Sequence, residues 1–344
     1  MSEQRSNPHD AYFRKVMACG ENAASELRTV LPEAVATRVD WSALRLEPGS
    51  FVHADLRDRY TDLLFRTRLD GHPAFVYLLM EHQSRSDRFM AFRMLEYMVA
   101  IWRRYLTDTH HDRKQHHAGG PAVNTLPAII PLVVHNTAQG KPWAAPTELA
   151  DLIDLDTEAR GALGPYLPRL RFLLDDVAAL DPAALRKRDL TPAARILLVM
   201  QRIAPKNKTL GRDMLDWLDD LRELDSGPDP LGDYVTVLTY LMTVGETTEN
   251  ELAAAFEQLG PRAKEAIVTT AETIEERGRK LGEARGRKLG EADGRTAALI
   301  ELLTAKFGPL SATTLHRVRS AGPTQVRTWT TRILTANTLD ELFD

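Results

Sequence analysis

The first 180 residues alternate between helical and strand-like hydrophobic patterns. Residues 8–31 carry apolar side chains every three to four positions, which predicts a helix that Asp10 caps and Pro32 ends. Residues 60–84 are predicted to form a β-hairpin, because two apolar-alternating runs flank "DGHP" (70–73) and Asp-Gly is a strong tight-turn signal.

A second helix is predicted over residues 86–106, followed by a polar loop over 107–124. Arg93, Glu96, Arg103 and Arg104 are predicted on its polar side. The apolar stripe expected to face the core consists of Phe89, Phe92, Leu95, Val99, Trp102 and Leu106, widened by Met90, Met94, Ile101 and Tyr105.

Two more strands are predicted, over 128–136 and 169–176, where short apolar runs end in polar residues. This order of elements predicts an α/β fold, a small mixed sheet flanked by helices. Beyond residue 177 the pattern is helical, with predicted helices at 182–204, 209–224, 230–244, 247–258 and 261–276.

A direct repeat, "GRKLGEAR" then "GRKLGEAD", follows at 278–293. Glycine at every fourth position and few leucines predict a linker or a weak helix that needs a partner. The predicted organisation is therefore a first domain over 1–180, a helical region over 181–276, the repeat over 277–294 and a small helical C-terminal module over 295–344.

Composition narrows the class of protein. The formal net charge is -4, so any nucleic-acid site has to be a local basic patch. The single cysteine, Cys19, expected in the packed face of a helix, excludes an intrachain disulfide and fits the cytoplasm. The chain shows neither a signal-peptide pattern nor an apolar run of membrane-spanning length. No GxGxxG, P-loop or GxSxG motif is present, which leaves nucleotide-dependent and α/β-hydrolase chemistry unsupported.

The hairpin carries the candidate chemistry. Asp62 lies in its first strand, and Glu81 and Gln83 close the second on one face. Two carboxylates and a backbone carbonyl, that of His82, suit Mg²⁺. The alternative is that Asp62 and Glu81 are ordinary strand-end carboxylates paired with nearby arginines, namely Arg57, Arg59 or Arg66.

Several segments of the chain resemble one family. "YTDLLFRTRL" (60–69), "LLMEHQS" (78–84) followed by "MAFRMLEYM" (90–98), and "LPAIIPLVVHN" (126–136) are similar to the Rpn or YhgA-like family of recombination-promoting nucleases. That family lies within the PD-(D/E)xK restriction-endonuclease-like superfamily. The C-terminal "LLTAKFGPLS" (302–311) resembles the small module that often follows this domain.

The resemblance implies a restriction-endonuclease-like core and a DNA endonuclease that depends on Mg²⁺, with Mn²⁺ as a substitute. It implies Asp62 as the first acid, Glu81 as the second, and Gln83 at the position usually held by lysine. Thr61 stands in place of the nominal proline. Glutamine orients water but brings no positive charge, so Gln83 leaves the strength of the activity open.

DNA is the implied substrate, and residues 85–117 hold the best local basic patch, although a solvated loop is the more frequent explanation of such a run. Arg59 and Arg93 are candidate DNA contacts. His9 and Asp10, at the start of the first helix, either supply another acid or form the N-cap. The helical C-terminal part is the expected site of any homodimer.

Two functions stay open on the sequence alone. One is a metal-dependent DNA endonuclease linked to recombination, mobile DNA or defence. The other is a weakly active or inactive nuclease-like DNA-binding or assembly protein, favoured by Gln83, the acidic net charge and the repeat. The chain resembles no DDE transposase, which favours a nuclease over a true transposase.

Overall fold

A five-stranded mixed sheet lies at the centre of the first part of the chain. The computed structural model describes residues 7–48, 63–81, 86–115, 124–137 and 140–343. For residues 77–81, 110–115, 182, 277, 281, 285 and 288 it describes the backbone alone. Among these residues the strand order is β1-β2-β3-β4-β5, with β1 Arg45–Leu46, β2 Leu63–Leu69, β3 His72–Glu81, β4 Ala128–His135 and β5 Leu173–Asp176.

The pairing changes once across the sheet, from antiparallel to parallel at β3. β1, β2 and β3 pair antiparallel, whereas β3 with β4 and β4 with β5 pair parallel. The sheet confirms the predicted α/β class and fits a restriction-endonuclease-like core. It also makes "FVYLLME" (75–81) part of the central strand.

The β2–β3 connection is the predicted tight turn. Leu69 pairs with His72, so the loop has two residues, Asp70 with φ 48° and Gly71 with φ 80°. Positive φ at both central residues matches the twist of a right-handed hairpin, and Asp-Gly adopts it readily.

Helices surround the sheet and continue beyond it. They are α1 Pro8–Met17, α2 Gly20–Val30, α3 Glu33–Ala36, α4 Met90–Gln115, α5 Thr157–Leu163, α6 Pro182–Arg186, α7 Pro192–Ile203, α8 Leu210–Asp213, α9 Leu218–Arg222, α10 Pro230–Val244, α11 Glu249–Glu257, α12 Pro261–Phe307, α13 Ala312–Arg319, α14 Pro323–Arg332 and α15 Leu339–Phe343. No helix among the described residues has the length and apolar character that a bilayer span requires.

The side chains on the two faces of the sheet belong to two different hydrophobic clusters. Phe65 and Val76 belong to a large cluster with α1, α2, α7 and α10. Leu64 and Phe75, their immediate neighbours, belong to a smaller cluster built on α4. This alternation is the period of two that a strand imposes on its side chains.

The predicted helix over 8–31 is two helices. Cys19 has extended backbone angles, and Asn22 donates its side-chain N–H to the Val16 carbonyl at 2.9 Å. Cys19 is exposed at this break, so its expected place in a core was wrong. Asp10 is not the cap either, since the Asn7 side chain accepts from the His9 N–H.

Helix α4 differs from the prediction in length and in orientation. It continues to Gln115 instead of ending at 106, so the predicted loop is helical over 107–115. This stretch contains no glycine or proline, and Arg104 pairs with Asp108 one turn on. The core face consists of Met90, Ala91, Met94, Tyr97, Met98 and Ile101, whereas Phe89, Phe92, Val99 and Leu106 are exposed.

Two predicted helices are divided, and of the two alternatives for the repeat, linker or helix, the structure shows the helix. The 182–204 segment forms α6 and α7, because Thr191 caps α7 and Pro192 begins it. The 209–224 segment contains the short helices α8 and α9. The repeat at 278–293 lies wholly within α12, so it is a helix rather than an irregular linker.

The chain divides into two compact units, Met1–Thr270 and Ala271–Asp344. The second unit has its own hydrophobic cluster. Its fully buried members are Leu299, Leu303, Val318 and Leu342. The prediction of a small helical C-terminal module has a counterpart here, while the finer boundaries at 180, 276 and 294 stay predictions.

Candidate active site

Of the predicted catalytic residues, the structure describes one. Glu81 is the last residue of β3, and its backbone position is described. Arg59, Asp62, His82 and Gln83 lie outside the described residues. The proposed pairing of Asp62 with Glu81 therefore stays a prediction.

Three parallel strands end in a single row. The register pairs Glu81 of β3 with His135 of β4, and His135 with Asp176 of β5. The carboxyl ends of parallel strands are the usual place for ligands in α/β sheets. The register thus aligns one predicted catalytic residue with two polar residues that the sequence did not single out as a site.

His135 is buried at the centre of this row, with 1% of its surface exposed. Its Nε2 lies 3.2 Å from the Lys141 carbonyl oxygen, which can only accept, so Nε2 carries a proton. In the neutral ring, Nδ1 is then an acceptor, and within the described part of the chain Nδ1 has no hydrogen-bond partner. A buried unsatisfied ring nitrogen is able to bind a water molecule or a ligand donor.

Asp176 is the last member of the row, and only one of its two carboxylate oxygens accepts a hydrogen bond from the described residues. Oδ2 accepts from the Trp143 N–H at 2.8 Å. Oδ1 is buried and has no hydrogen-bond partner in the part of the chain that the structure describes. The Trp143 ring also packs edge-on against the His135 ring, with 5.1 Å between the two centroids. Trp143 therefore contacts both polar strand ends, His135 and Asp176.

Residues 140–146 cross the strand ends and are held at several points. The Lys141 N–H donates to Thr137 Oγ1 at 3.0 Å, and the Ala144 N–H donates to Ser86 Oγ at 3.1 Å. Trp143 donates its indole N–H to the Ala145 carbonyl at 2.6 Å. These bonds fix the segment as one wall of the candidate site.

A cavity of about 360 Å³ opens beside His135. Ser86, Arg88, Thr137 and Lys141 are among its lining residues. Arg88 and Lys141 are exposed cations, so the cavity suits an anion such as a phosphate group.

Arg93 is engaged in an ion pair near this edge. Its Nη1 donates to Asp87 Oδ2 at 2.7 Å, and 12% of its side chain is exposed. Asp87 Oδ1 also accepts from the Phe89 N–H at 2.9 Å, which fixes the start of α4. The contact of Arg93 with DNA stays a prediction.

His9 lies in α1 and packs against α10, a helix more than two hundred residues further along the chain. Its Nδ1 lies 2.8 Å from the Tyr240 hydroxyl, and Tyr12 stacks on Tyr240 at 4.4 Å. These contacts join α1 to α10, so they give His9 a part in packing the first unit. Among the described side chains, no group of three or more His, Cys, Asp or Glu could hold a metal ion.

The sequence contains part, but not all, of the information needed to identify His135 and Asp176 as residues of the site. The sequence shows that both predicted strands end in polar residues, "HN" and "DD". It does not give the register that places these ends beside Glu81.

Comparison with known proteins gives consistent matches. The family model described as "Putative transposase, YhgA-like" matches residues 7–227. The recombination-promoting nucleases RpnC and RpnA of Escherichia coli K12 are each 27% identical to the chain, over 81% of it and over 84% and 87% of their own lengths. The inactive recombination-promoting nuclease-like protein RpnE of the same strain is 28% identical over 80% of the chain and 84% of its own length. No solved structure matches the chain significantly.

Proposed function

This chain belongs to the YhgA-like family of putative transposases, and from that premise we propose that it is a nuclease that hydrolyses phosphodiester bonds in DNA. The names of its relatives RpnC and RpnA support a nuclease linked to recombination. A cytoplasmic location, predicted from the cysteine content, fits this role.

The observation that carries the proposal is the row of strand ends. Glu81 lies in register with His135, beside a cavity lined by Arg88 and Lys141. A carboxylate supplies a metal ligand, and cations hold a phosphate backbone. Nuclease chemistry needs both functions at one edge.

Mg²⁺ or Mn²⁺ fits the predicted donor set. Asp62, Glu81 and the His82 carbonyl offer hard oxygen ligands, which these ions prefer. Such an ion, when bound, polarises the scissile phosphate and favours hydroxide near neutral pH.

Strand parity supports a shared face for the two carboxylates. Leu64 and Phe75 contribute to one cluster, on the α4 face of the sheet. In the sequence Asp62 precedes Leu64 by two positions, and Glu81 follows Phe75 by six. Both separations are even, so strand alternation predicts that the two carboxylates meet on this face.

The chain's own residues have distinct proposed roles. Gln83 orients the attacking water, while Arg88 and Lys141 bind phosphate oxygens and supply the positive charge that Gln83 lacks. His135, with a fixed Nε2 proton, accepts a hydrogen bond through Nδ1 from water in the cavity.

A second candidate function is a nuclease-like protein with weak or lost cleavage that binds DNA or assembles with partners. Gln83 at the usual lysine position favours it, as does the similarity to RpnE, whose name describes an inactive protein.

Plasmid cleavage by the purified protein tests the proposal. Wild type should nick or linearise supercoiled DNA with Mg²⁺ or Mn²⁺ but not with Ca²⁺ or EDTA. Asp62→Ala and Glu81→Ala should each lose on the order of 100-fold or more of the rate, as expected when one electrostatic contributor is removed.

Glu158→Ala is the matched control, because Glu158 is an exposed carboxylate on α5 that is not among the residues lining the cavity beside His135. It should cut like wild type. Folded wild type that cuts under no metal condition would favour the second function. Cutting that survives both hairpin substitutions would place the active site elsewhere.

A further inference from the structure

Helix α4, with Phe89 directly before it, presents a row of apolar side chains to solvent, which we call the stripe. The exposed side chains are Phe89 (57% exposed), Phe92 (48%), Val99 (40%) and Leu106 (36%). Their spacing of three or seven residues places them on one side of an α-helix. Exposed apolar residues grouped on one side of a helix mark an interaction site more often than isolated ones do.

The fold does not use this stripe for its own core. The buried face of α4 carries Met90, Met94, Tyr97 and Ile101, which pack on the sheet. At 100° per residue this face lies on the opposite side of the helix from the stripe. The stripe is therefore available to another surface.

Two charged residues complete a heptad pattern. Glu96 and Arg103 are exposed and fill the gaps, so the stripe reads 89, 92, 96, 99, 103 and 106, with alternating steps of three and four. Within the described residues neither side chain takes part in an ion pair that the structure records. The two opposite charges lie on either side of Val99.

We propose that this stripe binds the α4 stripe of a second copy of the chain, antiparallel, with Glu96 of each protomer facing Arg103 of its partner. The two-fold axis passes near Val99. A parallel pair would place like charges side by side, which is repulsive, whereas the antiparallel pair forms two symmetric Glu–Arg contacts. Phe92 of one protomer then packs against Leu106 of its partner.

The proposed dimer is weak and concentration-dependent. From Phe89 to Leu106 the stripe spans about 26 Å at 1.5 Å per residue. Two helices of that length bury less than the roughly 800 Å² per partner of a standard interface. The inference holds whether or not the protein cuts DNA, and it uses a different surface from the C-terminal helices.

Disulfide trapping in the full-length protein tests the arrangement. In a Cys19→Ala background, Val99→Cys should cross-link to a dimer under mild oxidation, because both copies lie near the axis. Leu106→Cys alone should not, because its two copies lie about 21 Å apart along the helices. A mixture of Phe92→Cys and Leu106→Cys proteins should form the mixed dimer.

Charge reversal gives an independent readout of the same contact. In otherwise unmodified protein, sedimentation at increasing concentration should show dimerisation at least about tenfold weaker for Glu96→Arg or Arg103→Glu. The double variant should recover it, since the opposite charges face each other again. These residues are exposed, so folding should be unaffected, and circular dichroism checks it.

Two results would overturn the proposal. Cross-linking of Leu106→Cys as efficient as that of Val99→Cys would indicate a parallel contact. No cross-linking of Val99→Cys at concentrations where the protein is dimeric would show that another surface forms the dimer or that a different partner covers the stripe.

Discussion

Glu26 is fully buried beside a second carboxyl group, that of Asp175, and Arg188 forms an ion pair with each of them. Arg188 donates to the two oxygens of Asp175 at 2.8 and 2.6 Å, while its Nη1 is 3.7 Å from Glu26 Oε1. Burial, and then the charge of Asp175, raise the pKa of Glu26 well above its usual range. Burial alone would raise the pKa of Asp175 too, but the two hydrogen bonds that Arg188 donates, together with the neighbouring Glu26, hold it below its usual value. Glu26 therefore keeps its proton and Asp175 stays ionised.

This assignment predicts opposite results for two substitutions. The folded state holds a proton on Glu26 that the unfolded chain releases above about pH 4.3, so this group's contribution to stability falls as pH rises. Glu26→Gln should resemble wild type at pH 5 and gain relative stability at pH 8. Arg188→Met should lose about 3–5 kcal/mol, because it leaves a buried carboxylate without its partner.

Urea unfolding at pH 5 and pH 8 measures both changes. A Glu26→Gln variant whose stability relative to wild type does not change with pH would contradict a protonated Glu26.

At the scale of elements, α12 is a continuous helix that contains a repeat with glycine at every fourth position. Within the part of the chain that the structure describes, a Cβ added at Gly278, Gly282, Gly286 or Gly290 would meet no atom within 4 Å. Nearby ion pairs at one-turn spacing support the helix, including Arg279 with Glu276 and Glu283. The glycines weaken α12 without an evident packing role in the chain itself.

Gly286→Ala should therefore stabilise the helix by about 1 kcal/mol, the difference in helix propensity between the two residues. Hydrogen exchange across the repeat and thermal melting measure the effect. Gly260→Ala is the matched control: its Cβ also has open space, but φ is +110°, which strains any L-residue, so it should destabilise. Loss of stability in Gly286→Ala would indicate that the glycines pack against another surface.

At the scale of the molecule, a net charge of -4 opposes DNA binding by general attraction. We propose that any affinity for DNA comes from local cations such as Arg88 and Lys141, which line the cavity at the strand ends. The contribution of Arg88 and Lys141 can be measured from the salt dependence of DNA binding, because each contact between a cation and a phosphate releases counterions.

The Arg88→Ala/Lys141→Ala double variant should make the negative slope of log K against log salt shallower by about 2. The measurement uses DNA binding without divalent metal in a Glu81→Ala background, so that cleavage does not interfere. Lys264→Ala, an exposed cation on α12, should leave the slope unchanged. An unchanged slope in the double variant would place the DNA backbone on another surface.

The sequence by itself determined the hairpin, the strand β4 and the α/β class. These depend on local rules: alternation over a short run, and Asp70-Gly71 adopting positive φ with little strain. The position of Glu81 at the end of a central strand was also predictable, because its apolar run stops there. The pairing of Asp62 with Glu81 stays a prediction from sequence.

Tertiary structure decided which face of α4 is buried and which residues accompany Glu81. Apolar residues occupy both sides of α4, so periodicity alone could not choose between the Met90–Met94 side and the Phe89–Phe92 side; packing on the sheet chose the first. The backbone of His135 lies beside that of Glu81 through a parallel register between residues more than fifty positions apart in the chain. Such contacts depend on the closure of a long connection and on side-chain packing, which no local pattern encodes.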